Sequence, residues 1–206
     1  MATTTKSRSV VREYVEAALW ALVLTLFLRA FVIQAFRIPS ASMQDTLLIG
    51  DFLFVNKFEY GPKIPFTHIR LPGLRQPHTG DIIVFQFPQD PSKDYIKRCI
   101  ATAGQTVEGK DKQVFVDGKP LREPYVIHID PTLRAAGFDY RDSFPKRTIA
   151  PGELFMMGDN RDNSNDSRFW GTVPMDYVKG RAMFIYWSWD HDKHWPRWNR
   201  LFRGIH

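Results

Sequence analysis

Cysteine, dense runs of basic residues and long apolar stretches are all scarce in this sequence. Cys99 is the only cysteine among 206 residues, so no intramolecular disulfide can form. The formal net charge is +6, but the lysines and arginines are scattered along the chain. This scatter argues against a nucleic-acid-binding surface, and we predict no nucleic-acid partner. A basic excess of this kind also fits membrane topology and attraction to anionic lipids.

A single apolar stretch is long enough to cross a bilayer. Residues 16–36 supply roughly the 20 mostly apolar residues that a span needs. Arg29 lies near the far end, where its stem can reach the head groups. The basic residues that precede the span predict an N-terminus in the cytoplasm; they are Lys6, Arg8 and Arg12. We predict a cytoplasmic segment over residues 1–13, a transmembrane anchor over 14–36 and an extracytoplasmic domain over 37–206.

A cleavable signal peptide is the alternative interpretation of this stretch. The length of the apolar run would suit one. However, Arg29 and the aromatic Phe31 and Phe36 do not resemble a cleavage site of small residues. These residues favour an uncleaved anchor.

The rest of the chain has little helical periodicity and many turn residues. Fourteen prolines and 13 glycines are spread along it. Strand patterns occupy residues 81–87, 94–102, 113–116, 153–157 and 179–189, and Asp117-Gly118 is a typical two-residue hairpin turn. We predict a mainly β fold: one transmembrane helix and then an all-β domain of antiparallel sheets, an open barrel or sandwich. Residues 109–150 are less patterned and predict an insert or small cap.

A polar turn with two serines directly follows the apolar stretch, at residues 38–43 (IPSASM). Its position suggests that Ser42 is a nucleophile held at the bilayer surface. A serine hydroxyl needs a neighbouring base and an oxyanion site. None of the histidines stands in a context that suggests a Ser-His-Asp triad; they are His68, His78, His128, His191, His194 and His206.

A lysine can be the base if burial lowers its pKa enough to leave it neutral. Lys97, in an apolar strand, is the best candidate. Strand alternation would send Tyr95, Lys97 and Cys99 to one face. On spacing alone, a lysine that points to solvent remains the alternative.

Four segments, in this order, resemble the motif boxes of type I signal peptidase, the bacterial membrane-bound serine endopeptidase that removes signal peptides from exported proteins. They are residues 39–43 (PSASM), 80–85 (GDIIVF), 94–98 (DYIKR) and 158–171 (GDNRDNSNDSRFWG). The resemblance implies that Ser42 is the nucleophile and Lys97 its general base. It implies an oxyanion hole formed by the Ser42 N–H and the Ser40 hydroxyl. It also implies that Ser164 orients the Lys97 amine, with structural support from Asp159, Asp166, Arg168 and Arg98.

The resemblance also bears on substrates and partners. Signal peptides end in small residues at alternate positions, and a peptide paired with a sheet edge presents alternate side chains to pockets. The pocket walls expected from the matching boxes are Phe36, Ile38, Met43, Leu47, Tyr95 and Ile96, although each is equally explicable as core. The implied partners are signal peptides, the lipid bilayer and the general secretion machinery, with no cofactor and no metal. The tail resembles that of Gram-negative members, which implies an inner membrane with the catalytic domain on its periplasmic side.

Two departures and several alternatives remain. Asp45 stands where the family usually has proline, and Thr79 where a basic residue commonly precedes Gly-Asp.

Three rival functions remain: a self-cleaving Ser-Lys regulator of the repressor type, a processing peptidase of a conjugation system, and a non-enzymatic peptide-binding domain. The tail could contact the membrane surface, or it could be ordinary core packing with a solvated end; its tryptophans are Trp187, Trp189, Trp195 and Trp198.

Overall fold

The structure, a computed structural model, describes residues 10–65, 67, 69–134, 137 and 139–206. Lys6 and Arg8, which contribute to the predicted membrane orientation, lie outside the described residues. His68 lies outside them as well.

An exposed apolar helix opens the described chain. It comprises α1 (Val10–Phe27) and a π-helical turn over Leu28–Val32. Together they form 23 residues with a mean hydropathy of 1.9, none of them buried, which is long and apolar enough to cross a bilayer. The predicted anchor extended to Phe36, but the structure ends the helix four residues earlier.

The last part of the predicted anchor is a β-strand. Ile33 is already extended (φ −138°, ψ 141°), and β1 (Ile33–Arg37) pairs with the strand that starts at Asp51. A short apolar run at the end of a span can serve equally as a buried strand, so hydropathy alone does not locate the boundary.

Antiparallel strands build the rest of the molecule. After β1 they are β2 (Asp51–Asn56), β3 (Ile82–Phe87), β4 (Asp90–Thr102), β5 (Thr106–Lys110), β6 (Gln113–Val116), β7 (Lys119–Pro120), β8 (Phe144–Thr148), β9 (Glu153–Met157), β10 (Val173–Pro174), β11 (Val178–Asp190), β12 (Trp195–Pro196) and β13 (Arg203–Gly204). The short elements between them are 3-10 turns at Ala41–Met43, Arg161–Asn163, Met175–Tyr177 and Trp198–Arg200, and α2 (Ser167–Trp170).

Within the described residues the strands form two sheets. The larger has nine strands in the order β1-β2-β11-β3-β4-β9-β10, with β12 and β13 also paired to β11. The smaller has the order β7-β6-β5-β8, and its strands come from the two ends of the segment that we expected to be an insert. All of the strand pairings are antiparallel, so the predicted mainly β fold is confirmed.

The hairpin predicted at Asp117-Gly118 is present. Both residues have positive φ, 50° and 74°, and Val116 pairs with Lys119 across the turn. Two consecutive residues with positive φ match the right-handed twist of the flanking strands.

β3 and the second half of β4 lie in the interior of the larger sheet. β3 exposes little of any residue, and β4 is buried from Lys97 to Ala101. Tyr95 and Cys99 pack in one hydrophobic cluster and Ile96 in another, as strand alternation predicted. The half of β4 that contains Lys97 therefore lies in the interior, where a charge is costly.

Candidate active site

A short 3-10 turn places Ser42 at the edge of the core. The turn spans Ala41–Met43, and Ser42 is buried with 8% of its surface exposed. Met43 and Leu47 are completely buried behind it, and the Leu47 N–H donates to the Met43 carbonyl at 2.7 Å. These two buried side chains hold the turn that contains Ser42, which follows β1, against the domain.

Strand β4 brings Lys97 to this serine. The Lys97 amine donates to Ser42 Oγ at 2.5 Å, although the residues are 55 positions apart in the chain. Lys97 is 4% exposed and pairs in register with Ile83 of β3. Its amine also lies 5.5 Å from the centre of the Tyr95 ring. The alternative of a lysine that points to solvent is wrong.

Burial lowers the pKa of this lysine. Desolvation lowers the pKa of Lys97 from 10.5 to about 8, against the opposing influence of the Asp166 and Asp159 carboxylates. A substantial fraction of the amine is therefore neutral in mildly alkaline solution. A neutral amine at hydrogen-bonding distance from a serine hydroxyl can accept its proton.

Ser40 lies beside the same hydroxyl. Its Oγ is 3.4 Å from Ser42 Oγ, and its side chain is exposed at the cleft. The Ser42 N–H lies in the first turn of a 3-10 segment, where N–H groups have no intrahelical acceptor. The expected oxyanion donors thus lie next to one another.

Ser164 lies near the Ser42 backbone but does not form the hydrogen bond to Lys97 that the family resemblance implied. Its Oγ is buried and makes no hydrogen bond of standard geometry among the described residues. It lies close enough to Asp166 to help lower the pKa of that carboxyl. The Lys97 amine instead has Ser42 as its hydrogen-bond partner. The role of Ser164 as an orienting group therefore stays a prediction.

Gly158 explains how closely these groups approach each other. A Cβ at this position would lie 2.3 Å from Ser164 Oγ and 2.5 Å from the Ser42 carbonyl oxygen. Real side chains do not tolerate such distances, so any larger residue would displace one segment or both. The absence of a side chain at Gly158 allows the serine turn and the Ser164 loop to meet.

Two buried ion pairs hold the loop that follows Gly158. Arg98 binds Asp159 through two hydrogen bonds of 2.8 and 2.7 Å. Arg168 binds Asp166 through two more, of 2.8 and 2.9 Å. Burial opposes ionisation of Asp166, but Arg168 and the surrounding hydrogen bonds hold the pKa of this carboxyl below its ordinary value. Removing one partner of such a pair leaves an uncompensated buried charge.

Sequence reasoning missed the residues whose hydrogen bonds hold the turn that contains Ser42 in place. The Asn160 N–H donates to the Ser42 carbonyl at 3.1 Å, and its carboxamide donates to the Ala41 carbonyl at 3.2 Å. Thr46 donates to Asp159 at 2.6 Å, and Arg200 donates to the Thr46 carbonyl at 3.0 Å. The fourth motif box contains Asn160, so the signal was present in the sequence, but nothing local indicated its contacts.

Asp45 has a backbone conformation that the usual proline cannot adopt. Its φ is +73°, in the left-handed region, whereas proline is restricted to a φ near −65°. Aspartate tolerates this region better than most residues. The turn after Met43 is therefore built differently here from a turn with proline at this position.

The expected pocket residues divide into two groups. Tyr95 and Ile96 line a cleft of about 330 Å³ that contains Ser42 and Lys97. The other residues belong to the core or its margin, because their side chains pack inward: Ile38, Met43 and Leu47 are buried, and Phe36 packs against them. The remaining walls of the cleft are residues 39–41 and Asp94, Asn163 and Asn165. The described residues that line it include no histidine.

The domain is antiparallel β, and its cleft contains a buried lysine and a buried serine but no described histidine. This combination fits a class of serine hydrolases in which an amine replaces the imidazole. Comparison with known proteins identifies the family. The model of the family described as "Signal peptidase, peptidase S26" matches residues 11–187.

Named relatives agree with this match. A signal peptidase I from Pseudomonas fluorescens is 34% identical over 221 residues, covering 92% of this chain and 78% of that protein. Signal peptidase I from Pseudomonas aeruginosa is 36% identical over 211 residues, covering 88% and 74%. Signal peptidase I from Aquifex aeolicus is 36% identical over 214 residues, covering 79% of each chain.

The chain belongs to the signal peptidase family, peptidase S26. It is a serine endopeptidase that cleaves signal peptides. This membership argues against the repressor-type regulator and the non-enzymatic peptide-binding domain that the sequence had left as rivals.

Proposed function

We propose that this chain cleaves signal peptides with Ser42 as the nucleophile and Lys97 as the general base. The observation that supports this most strongly is the 2.5 Å hydrogen bond between the amine of Lys97, a residue only 4% exposed, and the hydroxyl of the buried Ser42. The reaction needs no cofactor, because an amine with its pKa lowered by burial activates the hydroxyl directly.

The reaction follows two steps. Lys97 takes the Ser42 proton as Oγ attacks the scissile carbonyl, and the Ser42 N–H and the Ser40 hydroxyl stabilise the oxyanion. Lys97 then donates the proton to the leaving amine, which becomes the new N-terminus of the mature protein. Water hydrolyses the acyl-enzyme with Lys97 again acting as base. Ser164, which has no hydrogen bond of standard geometry, is the candidate second partner that orients the amine.

The substrate adds a strand beside β4. One edge of β4 pairs with β3, without a break from Asp94 to Arg98. The other edge of β4 is joined by β9 only from Arg98 onward, opposite Met157. No strand of the described part pairs with the edge between these points, so an extended peptide can bind there by main-chain hydrogen bonds. Tyr95 and Ile96 then contact the residues before the cut. Ring stacking of Tyr95 on Phe87, at 4.4 Å between centroids, keeps this wall rigid and favours small residues.

The apolar helix anchors the enzyme in the inner membrane, with the N-terminus in the cytoplasm and the domain on the periplasmic side. None of its 23 residues is buried against the domain, so its apolar surface requires another apolar environment. The C-terminal end of the helix is hydrogen-bonded to the domain: the Lys57 N–H donates to the Val32 carbonyl at 2.9 Å, and the Lys57 amine donates to the Arg29 carbonyl at 3.3 Å. The substrates are preproteins delivered by the general secretion machinery.

The test is preprotein cleavage in detergent by the full chain and by Ser42→Ala and Lys97→Met. Each substitution should lower turnover by at least about 1,000-fold, because removing one member of such a unit disables the whole. Ser92→Ala and Lys93→Met, at exposed positions of the same strand as Lys97, are the matched controls and should retain activity. Substantial activity in either site variant would refute the assignment.

A further inference from the structure

The cleft has a third wall that the reaction described above does not use. Its first two walls are residues 39–42 and 94–97, and the third consists of Asn163 and Asn165. Both asparagines are exposed, while Ser164 and Asp166 beside them are buried. The backbone is extended at Ser164 (φ −137°, ψ 122°), so alternate side chains project in opposite directions and the two carboxamides point away from the core.

These two carboxamides are exposed and without a partner among the described residues, whereas the charged side chains of the same loop are engaged. Asp162 and Asp166 are engaged in ion pairs, and Asn160 binds the serine turn. Within the described part of the chain, neither Asn163 nor Asn165 has a side-chain hydrogen bond. Each offers one acceptor and two donors to whatever occupies the cleft.

The strand topology indicates which part of the substrate passes this wall. A peptide beside β4 can extend from Lys97 towards Asp94, but it cannot continue past Lys97, because β9 occupies that edge from Arg98 onward. Small residues before the cut belong along Tyr95 and Ile96. The chain after the cut must therefore leave the sheet edge where β9 ends and the loop that begins at Gly158 emerges.

We infer that the carboxamides of Asn163 and Asn165 bind the main chain of the first residues after the scissile bond. A carboxamide matches a peptide group donor for acceptor, so this recognition does not depend on the side chains of the mature protein. Neutral groups also suit this position, since a carboxylate here would favour protonated Lys97. The inference rests on the proposed function, because it takes Ser42 and Lys97 as the point of cleavage.

A cycle of enzyme and substrate changes tests this inference. The enzyme is the full chain in detergent, either unchanged or as the double variant Asn163→Ala, Asn165→Ala. The substrate is a signal-peptide sequence with five residues after the cut, and its partner has an ester in place of the amide between the first and second of those residues. The ester removes one N–H donor and weakens the carbonyl acceptor.

The ester should lower kcat/KM of the unchanged enzyme about fivefold to tenfold, as expected for the loss of one hydrogen bond. The double variant should be about tenfold or more slower on the amide substrate, and the ester should cost it nothing further. The conservative variant Asn163→Gln, Asn165→Gln should recover part of the sensitivity to the ester. Equal ester effects in both enzymes, or no ester effect in the unchanged enzyme, would overturn the inference.

Two controls separate this result from other failures. A bulky residue placed just before the cut should slow the unchanged enzyme and the double variant by the same factor, because that side chain meets Tyr95 and Ile96. A purely structural role of the asparagines would slow all substrates alike and leave the ester effect intact. Cleavage of the amide substrate by Ser42→Ala would refute the proposed nucleophile. The comparison of amide and ester substrates with the unchanged enzyme and the double variant could still be interpreted.

Discussion

Lys97 combines an interior position with a proposed role as general base, which requires an uncharged amine. The side chain pairs with Ser42 and lies near two carboxylates, which favour its protonated form, yet desolvation is the larger influence on its pKa. Ionised carboxylates in direct contact with the amine would have kept it charged. The two acidic groups instead bind Arg98 and Arg168, which satisfy most of their charge.

The pH dependence of cleavage should report this lysine. Because the neutral amine is the active form, kcat/KM should rise with pH and level off above about 8. Below that value it should fall by about tenfold for each pH unit. Initial rates between pH 6 and pH 10, on a peptide without titratable groups near the cut, measure the profile. A midpoint near pH 6.5 would point to a histidine and contradict the assignment.

At the scale of elements, the site forms where two loops and one strand pack together. The serine turn follows β1, the base lies on β4, and the loop after β9 packs against both. Asn160 bridges the two loops by donating to the Ser42 carbonyl. The close approach at Gly158 makes this contact sensitive to a single added methyl group.

Gly158→Ala should lower kcat much more than it raises KM. The added Cβ would overlap Ser164 Oγ and the Ser42 carbonyl, so the nucleophile must move away from its base. A displacement of this kind costs about 100-fold in rate. The matched control is Gly109→Ala, where a Cβ would lie 2.3 Å from the Phe144 ring in the smaller sheet.

The control variant should lose stability without a comparable loss of kcat. Thermal unfolding and steady-state kinetics of both variants distinguish the two effects. If Gly158→Ala retained full kcat while its melting temperature fell, the close approach would matter for folding only.

Particular elements show where sequence reasoning succeeded and where it stopped. β3, β4, β6, β9 and β11 were predictable because their apolar runs end at turn residues. β2 was missed because Phe52, Leu53, Phe54 and Val55 are all apolar, which hides the alternation of buried and half-buried positions. β5 and β8 were missed because Gly109 and Pro145 interrupt the pattern, although the glycine is required by the nearby Phe144 ring.

The site divides in a similar way. The motif boxes pointed to Ser42 and Lys97, and the structure brings them into contact. Spacing alone could not have done so, because the contact depends on how β1, β2 and β11 place the serine turn beside β4. That Ile38, Met43 and Leu47 pack in the core rather than line the cleft also follows from packing that no local pattern encodes.

At the scale of the whole molecule, exposed aromatic residues cluster in the tail. Trp195, Trp198 and Phe202 are 63%, 59% and 75% exposed. Arg200, by contrast, is buried and binds Asp51. The tail thus fits both interpretations raised by the sequence: one part packs on the sheet, and its aromatic residues face outward.

A domain without its helix should bind anionic vesicles through these three aromatics. The truncation should remove residues 1–32 only, because β1 starts at Ile33 and pairs with β2. Replacing all three with alanine should weaken binding at least about tenfold, given the apolar area lost. Sedimentation with vesicles measures it.

The matched control for this experiment is Ile129→Ala with Leu133→Ala, two exposed apolar residues in the segment next to the smaller sheet. These changes should leave vesicle binding as it was. Unaltered binding by the aromatic variant would refute the idea that the tail contacts the membrane.

Cys99 gives the molecule a practical property. The residue is completely buried, and desolvation raises the pKa of its thiol to about 12. Near neutral pH it is therefore both inaccessible and protonated, so alkylating reagents should not reach it. A cysteine introduced at an exposed position would then be the one reactive thiol among the described residues. Fluorescent or spin probes could be attached at chosen points of the otherwise natural enzyme to follow peptide binding in real time.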